Sequence, residues 1–197
     1  MLTAKDVKIF SREQISKGFL KIFRIKLTHR LFAGGEPEPF VRELMERGNA
    51  VAVVLYDERH DKVVMVEQFR VGALEDPESP WLLEFPAGVV KEGESDEDVA
   101  MRECEEEVGR APKSLHPITK CYLTPGGSSE KIAIFYGPID SEGLDDTIKG
   151  LDCENEDIRV RTLDLDEALE MTRDGRIRNA STALGLYWLA GELGRKP

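Results

Sequence analysis

Over residues 19–31, FLKIFRIKLTHRL, the positions Phe23, Ile25, Leu27, His29 and Leu31 alternate with Arg24, Lys26, Thr28 and Arg30. A period of two marks a strand with one buried face and predicts an antiparallel N-terminal sheet. AGGEPEP, residues 33–39, is a turn by composition, and FVRELMERG, residues 40–48, is taken as strand although periodicity over so short a run also admits a helix. NAVAVVLYD and KVVMVEQF are β-branched runs joined through the polar DERHD, a buried hairpin. WLLEF, ITKCYL, KIAIFYG and DIRVRTL predict further strands, and a Gly-containing loop and an acidic helix follow WLLEF. DLDEALEMTRDG, opened by Asp and stopped by Gly175, and NASTALGLYWLAGEL predict two closing helices. Strands and helices intermix, which indicates an α/β or α+β class with a mixed sheet between helices.

A chain of 197 residues with 41% hydrophobic positions can bury one main core and carry a smaller appended subdomain. A net charge of -11 argues against broad binding to nucleic acid or an anionic membrane, so an anionic substrate would be met locally, by a metal or a few arginines. Cys104, Cys121 and Cys153 are odd in number and contain no Cys-x-x-Cys pair, which suggests reduced thiols rather than a disulfide framework or a zinc site. The N-terminal MLTAKDVKIFSREQ has charges where a signal peptide needs an apolar centre, and no stretch reaches the length of a membrane span. The expected location is the cytoplasm.

The acidic helix carries the candidate chemistry. Ser95 with Asp98 three residues later is a capping-box-like start, Asp96 and Glu97 suit the positive end of the helix dipole, and Gly109 with Pro112 supplies a stop, giving a helix from about Asp96 to Val108. At 100° per residue Ala100, Cys104 and Val108 form an apolar stripe flanked by Val99. Glu103, Glu106 and Glu107 then fall at the edge of the core-facing side, whereas Glu105 points outward. A merely solvated acidic run would not place carboxylates there. Partly buried acids so close together raise one another's pKa unless a cation compensates, and an all-oxygen set suits Mg²⁺ or Mn²⁺. Arg102, one turn before Glu106, is placed to pair with it.

Gly88, five residues, Glu94, seven residues, then Arg102-Glu103-Cys104-Glu105-Glu106-Glu107-Val108-Gly109 resembles the Nudix box of the Nudix hydrolases. Cys104 and Arg110 stand where that signature is apolar, and neither is a metal position. RLFAGG, VEQFR, PWLLEFPAG, LTPGGSSE and GLDCENEDIRV resemble, in order and spacing, the ADP-ribose pyrophosphatase subfamily, and Pro125 matches its characteristic proline beyond the box. The resemblance implies a Nudix α/β/α sandwich with a mixed sheet in residues 48–197, an N-terminal antiparallel β subdomain for dimerisation in residues 1–47, and Mg²⁺-dependent hydrolysis of ADP-ribose to AMP and ribose 5-phosphate, with Mn²⁺ as a second metal. Another nucleoside diphosphate sugar such as GDP-mannose, or a non-catalytic nucleotide-sugar sensor, are the competing readings.

By the same resemblance the metal ligands are the Ala87 carbonyl, Glu103, Glu107 and Glu156. Glu154 is the catalytic base, with Glu106 as the competing candidate. The substrate contacts are Phe19, Arg42, Glu43, Arg47, Arg70, Val89, Thr124, Pro125, Gly126 and Glu130. A homodimer is implied in which Phe19 of one chain stacks on the adenine held by the other; the plain alternative for Phe19 is ordinary core.

Overall fold

The structure is a computed structural model that describes residues 1–151, 153 and 155–196. It divides into two compact units, residues 1–48 with 122–131, and residues 49–121 with 132–197.

In the first unit, β1 (Val7–Gln14), β2 (Lys21–His29) and β3 (Phe40–Glu46) form an antiparallel sheet in that order. The alternation coincides with β2 over residues 23–29, while Leu31 lies beyond the strand; Ile25 is buried as expected, but so is Thr28 from the opposite set, whose hydroxyl donates to Pro37 O at 2.7 Å. β1 is exposed along its whole length and was not legible from the sequence, because charged residues interrupt its apolar positions. FVRELME is strand, paired to β2 from Phe40 opposite Leu27 to Glu46 opposite Lys21. The turn at residues 124–128 docks on the end of β3, where Met45 N–H donates to Gly127 O at 2.8 Å and Ser129 N–H to Met45 O at 3.2 Å.

The second unit contains β4 (Asn49–Asp57), β5 (Lys62–Phe69), β6 (Trp81–Glu84), β7 (Ala87–Val90), α1 (Asp96–Val108), β8 (His116–Tyr122), β9 (Lys131–Pro138), β10 (Ile148–Lys149), β11 (Ile158–Asp164), α2 (Leu165–Arg173) and α3 (Ala180–Glu192). Its sheet runs β10-β11-β5-β4-β9-β8, with β6 against β5 and β7 against β4; β4 and β9 are parallel, while the β4–β5 hairpin is antiparallel. The sheet is therefore mixed.

β4 is buried from Ala50 to Asp57, which explains its unbroken apolar run. Val51, Val53 and Leu55 point into one core with Val99, Ala100, Cys104 and Val108 of α1. Ala50, Ala52, Val54 and Tyr56 point into the other, with Leu165, Ala168 and Leu169 of α2 and Leu186, Leu189 and Ala190 of α3. Helices thus cover both faces of one sheet, the α/β/α sandwich expected. No helix among the described residues is long and apolar enough to cross a membrane.

The loop expected after WLLEF contains a strand. β7 pairs Ala87 with Ala52 and Gly88 with Val51, which puts the start of the acidic signature in the sheet. Two turn-like residues, Pro86 and Gly88, hid that strand from composition. α3 comes close to the sheet through Gly185, where a Cβ would lie 2.6 Å from Val54 Cγ2 and 3.1 Å from Phe85 Cε2. Gly185→Ala is expected to overpack this contact and cost about 1–3 kcal/mol, read as a lower urea midpoint with unchanged m-value.

Candidate active site

Local rules place α1. The Ser95 hydroxyl accepts from Asp98 N–H at 3.1 Å and donates to the Asp98 carboxylate at 2.7 Å, which fixes the first turn. Gly109, at φ 79°, ends the helix in the left-handed conformation that favours glycine, its N–H donating to Glu105 O at 3.0 Å. Between these ends the apolar stripe packs on β4, and the acids follow from its phase.

Glu107 lies deeper than the edge position expected for it, being 2% exposed. At 80° from Val99 and 20° from Ala100 on a 100° wheel, it occupies the middle of the buried arc rather than its rim. Its Oε2 accepts from Ala87 N–H at 2.9 Å, so the helix and β7 meet through a carboxylate. Glu103 lies against Gly88, where a methyl group would overlap the Glu103 carboxylate; the glycine is thus a steric requirement of this acid. Arg102 pairs with Glu106 at 2.8 Å and with Glu103 at 3.0 Å, which matches its expected partner and adds one.

Burial pushes both inner acids up, Glu103 to about 7 and Glu107 to about 8. For Glu103 the nearby Arg102 opposes the shift, while Glu106 and Glu156 add to it. For Glu107 the Ala87 hydrogen bond and Arg70 oppose it, while Glu103 and Glu156 add to it. Glu156 N–H donates to Leu151 O at 3.3 Å, and its carboxylate lies within electrostatic reach of both acids.

Among the described residues no three His, Cys, Asp or Glu side chains already converge as a cation cage. Glu107 is turned to a backbone amide and Glu103 to a guanidinium. The donor set nevertheless fits a hard divalent ion: a buried and a half-buried carboxylate that repel each other, a third nearby, and oxygen as the only ligand atom. Glu103, Glu107 and Glu156, with the Ala87 carbonyl beside them in sequence, are the residues that would hold it.

Arg70 follows β5 and binds Glu84, with Nε at 2.9 Å and Nη2 at 2.7 Å from the same carboxylate oxygen. Val89 is half-buried in β7, opposite Ala50. Glu154 lies outside the described residues. In the first unit Arg47 pairs with the buried Glu130 at 3.4 Å, while Arg42 lies over the Phe40 ring at 4.6 Å and Glu43 pairs with Arg24 at 3.4 Å. Thr124, Pro125 and Gly126 are exposed in the turn beside β3. Phe19, 86% exposed, is not core within its own chain. Sequence reasoning missed Glu84; the one available signal was an acid inside the apolar run WLLEF.

The sandwich and the acid pair on its helix define a Nudix-type hydrolase site. Residues 46–183 match the NUDIX domain family, and the chain belongs to the Nudix family. Across 188 residues it is 43% identical to the ADP-ribose pyrophosphatase of Haemophilus influenzae, covering 94% of this chain and 86% of that protein. It is 41% identical over 184 residues to the ADP-ribose pyrophosphatase of Escherichia coli K12, covering 93% and 88%. A crystal structure of an ADP compounds hydrolase superposes with a TM-score of 0.72 at 20% identity over 98% of this chain and 97% of that one, which establishes the shared fold.

The raised acids set the sign of a pH dependence. The folded chain retains protons that the unfolded chain loses near pH 4.5, so metal-free stability falls as pH rises from about 4.5 through about 8. Thermal melts in chelator are expected to show that decline, and Mg²⁺ to stabilise more at pH 8 than at pH 5.5. Gly88→Ala is expected to displace the flexible Glu103 side chain, leaving the melting temperature near wild type and lowering metal-dependent turnover by about tenfold or more, measured as initial rate at fixed Mg²⁺.

Proposed function

We propose that this Nudix hydrolase cleaves the diphosphate of ADP-ribose, adding water across one P–O–P bridge to give AMP and ribose 5-phosphate, with Mg²⁺ as its metal and Mn²⁺ able to replace it. The observation that carries the reading is the buried Glu107 and half-buried Glu103 set against Ala87 and Gly88 inside the matched family region. Similarity over nearly the full length to ADP-ribose pyrophosphatases supports the substrate.

The chain's own residues have separable tasks. Glu103, Glu107, Glu156 and the Ala87 carbonyl would hold the divalent ion, which would supply charge neutralisation for the diphosphate and a lowered pKa for the attacking water. Arg70 and Arg47 offer guanidinium forks to phosphate and ribose oxygens, and Arg42, Glu43, Val89, Glu130 and the turn at Thr124, Pro125 and Gly126 shape the substrate contacts. Glu154 takes the proton of the water. Glu106 is the weaker candidate, because Arg102 already engages it at 2.8 Å.

Residues 1–47 act as a dimerisation subdomain and residues 48–197 as the catalytic domain. Exposed Ile9, Phe10, Phe19, Phe32 and Val41 support burial of the first subdomain's surface in a homodimer. Phe19 of one protomer stacks on the adenine bound by its partner. The protein works in the cytoplasm, without nucleic acid or membrane.

Product analysis with ADP-ribose, GDP-mannose and NADH, each with Mg²⁺ or chelator, tests the proposal. AMP and ribose 5-phosphate should appear fastest and only with metal. Faster GDP-mannose cleavage would move the specificity, and binding without any turnover would indicate a sensor. Glu103→Gln and Glu107→Gln are expected to cut metal-dependent turnover without unfolding the chain, and Glu154→Gln to cut turnover while sparing binding; full rates in all three would overturn the site assignment.

A further inference from the structure

Glu84 is a buried carboxylate that the proposed reaction does not use. It ends β6 between Leu83 and Phe85 and is 3% exposed, a placement that is costly unless its oxygens are occupied. They are: Oε2 accepts from Arg70 Nε at 2.9 Å and Nη2 at 2.7 Å, and Oε1 accepts from Asn179 Nδ2 at 2.8 Å.

The orientation of Asn179 is fixed by its other end. It is the N-cap of α3, and its Oδ1 accepts from Thr182 N–H at 3.0 Å, from the Ser181 hydroxyl at 2.6 Å and from the Thr182 hydroxyl at 3.2 Å. A backbone N–H can only donate, so the capping atom must be the oxygen, and Nδ2 is left to face Glu84. One chain of hydrogen bonds thus runs from the α3 N-terminus through Asn179 and Glu84 to Arg70.

The loop after Arg70 is anchored from the same place. Arg178, the residue before the cap, binds Asp76 and Glu78 at 2.9 Å each and Ser79 O at 3.2 Å. Arg70 N–H donates to Pro80 O at 2.8 Å. Both ends of this short excursion are therefore held.

The Arg70–Glu84 pair is lopsided. The Glu84 side chain is 4% exposed and that of Arg70 is 40% exposed. Both guanidinium donors go to a single oxygen, and Nη1 makes no hydrogen bond among the described residues. Arg70 is also near enough to the acid site to favour ionised Glu107. A pair serving only to tie the sheet together would have no need to leave one edge of the fork open.

We infer that Glu84, held by Asn179, is a positioning residue that fixes the plane of the Arg70 guanidinium and presents its open Nη1 edge to the substrate's diphosphate. The inference rests on the role proposed for Arg70, and the test separates the two.

kcat and KM for ADP-ribose with Mg²⁺ are measured for Arg70→Lys, Glu84→Gln, Asn179→Ser and the combinations of the last two with Arg70→Lys, with circular dichroism melts confirming folded protein. Gln at residue 84 sets an amide NH₂ against Arg70 or Asn179. Ser at residue 179 keeps a helix-capping oxygen but deletes the donor to Glu84, so it serves if Glu84→Gln does not fold. Arg70→Lys and Glu84→Gln should each lower kcat/KM by about tenfold to a hundredfold, the scale on which a misplaced binding group acts, and Asn179→Ser by less. In the Arg70→Lys background neither second change should lower it further, because the group being positioned is already gone. Effects that multiply, or Glu84→Gln and Asn179→Ser at wild-type kcat/KM, would overturn the positioning role and leave Arg70 in place. Arg70→Lys at wild-type kcat/KM would remove Arg70 from the site, and the inference with it.

Discussion

Two carboxylates on the core-facing side of α1 constrain everything around them. An apolar side chain at residue 107 would suit the packing of Val99, Ala100, Cys104 and Val108 at no electrostatic cost, yet the position holds a glutamate that is 2% exposed. Burial of a carboxylate is unfavourable by several kcal/mol unless it is neutralised, hydrogen-bonded or paired. The chain supplies one amide, from Ala87, and lets the Glu103 carboxylate approach by leaving residue 88 without a side chain. What remains is the repulsion among Glu103, Glu107 and Glu156, which Arg102 and Arg70 offset only in part. A divalent ion held there would relieve it, and Nudix hydrolases generally need one.

The fold serves that arrangement. β4 is buried on both faces, so its register is strongly specified, and it pairs β7 along its first half and β5 along its second. That division sends Ala87 and Gly88 to the foot of α1 on one side and carries Arg70 past the end of β5 on the other. Glu84 joins the second branch to α3. The strand that meets the acids proposed to hold the metal, and the arginine proposed for the diphosphate, thus belong to the two branches of a single central strand.

Helical phase brought Glu103, Glu106 and Glu107 together at the edge of the core-facing side and Ser95 and Gly109 bounded the helix, but the greater depth of Glu107 was not read from phase, and the choice of Glu103 and Glu107 as ligands came from the resemblance. β2 and the closing helices were legible through a local period, and β4 and β5 as unbroken β-branched apolar runs. β1 was not, since its exposed positions have no buried face to impose alternation, and β7 was not, since Pro86 and Gly88 read as turn residues while serving close approach. The pairing of Arg70 with Glu84 joins residues 14 apart in sequence and that of Glu84 with Asn179 residues 95 apart, so no local pattern contains them. Glu154 was reached through resemblance alone, since an acidic loop is by itself indistinguishable from a solvated connection.

The central claim is that a divalent ion replaces protons on Glu103 and Glu107. The most direct test is a pH-stat titration of the chelator-treated protein with Mg²⁺ near pH 7, counting protons released on binding. Net release that disappears in the Glu103→Gln, Glu107→Gln double variant is the result the account predicts. Binding of Mg²⁺ with no proton release, or with the same release from the double variant, would contradict it.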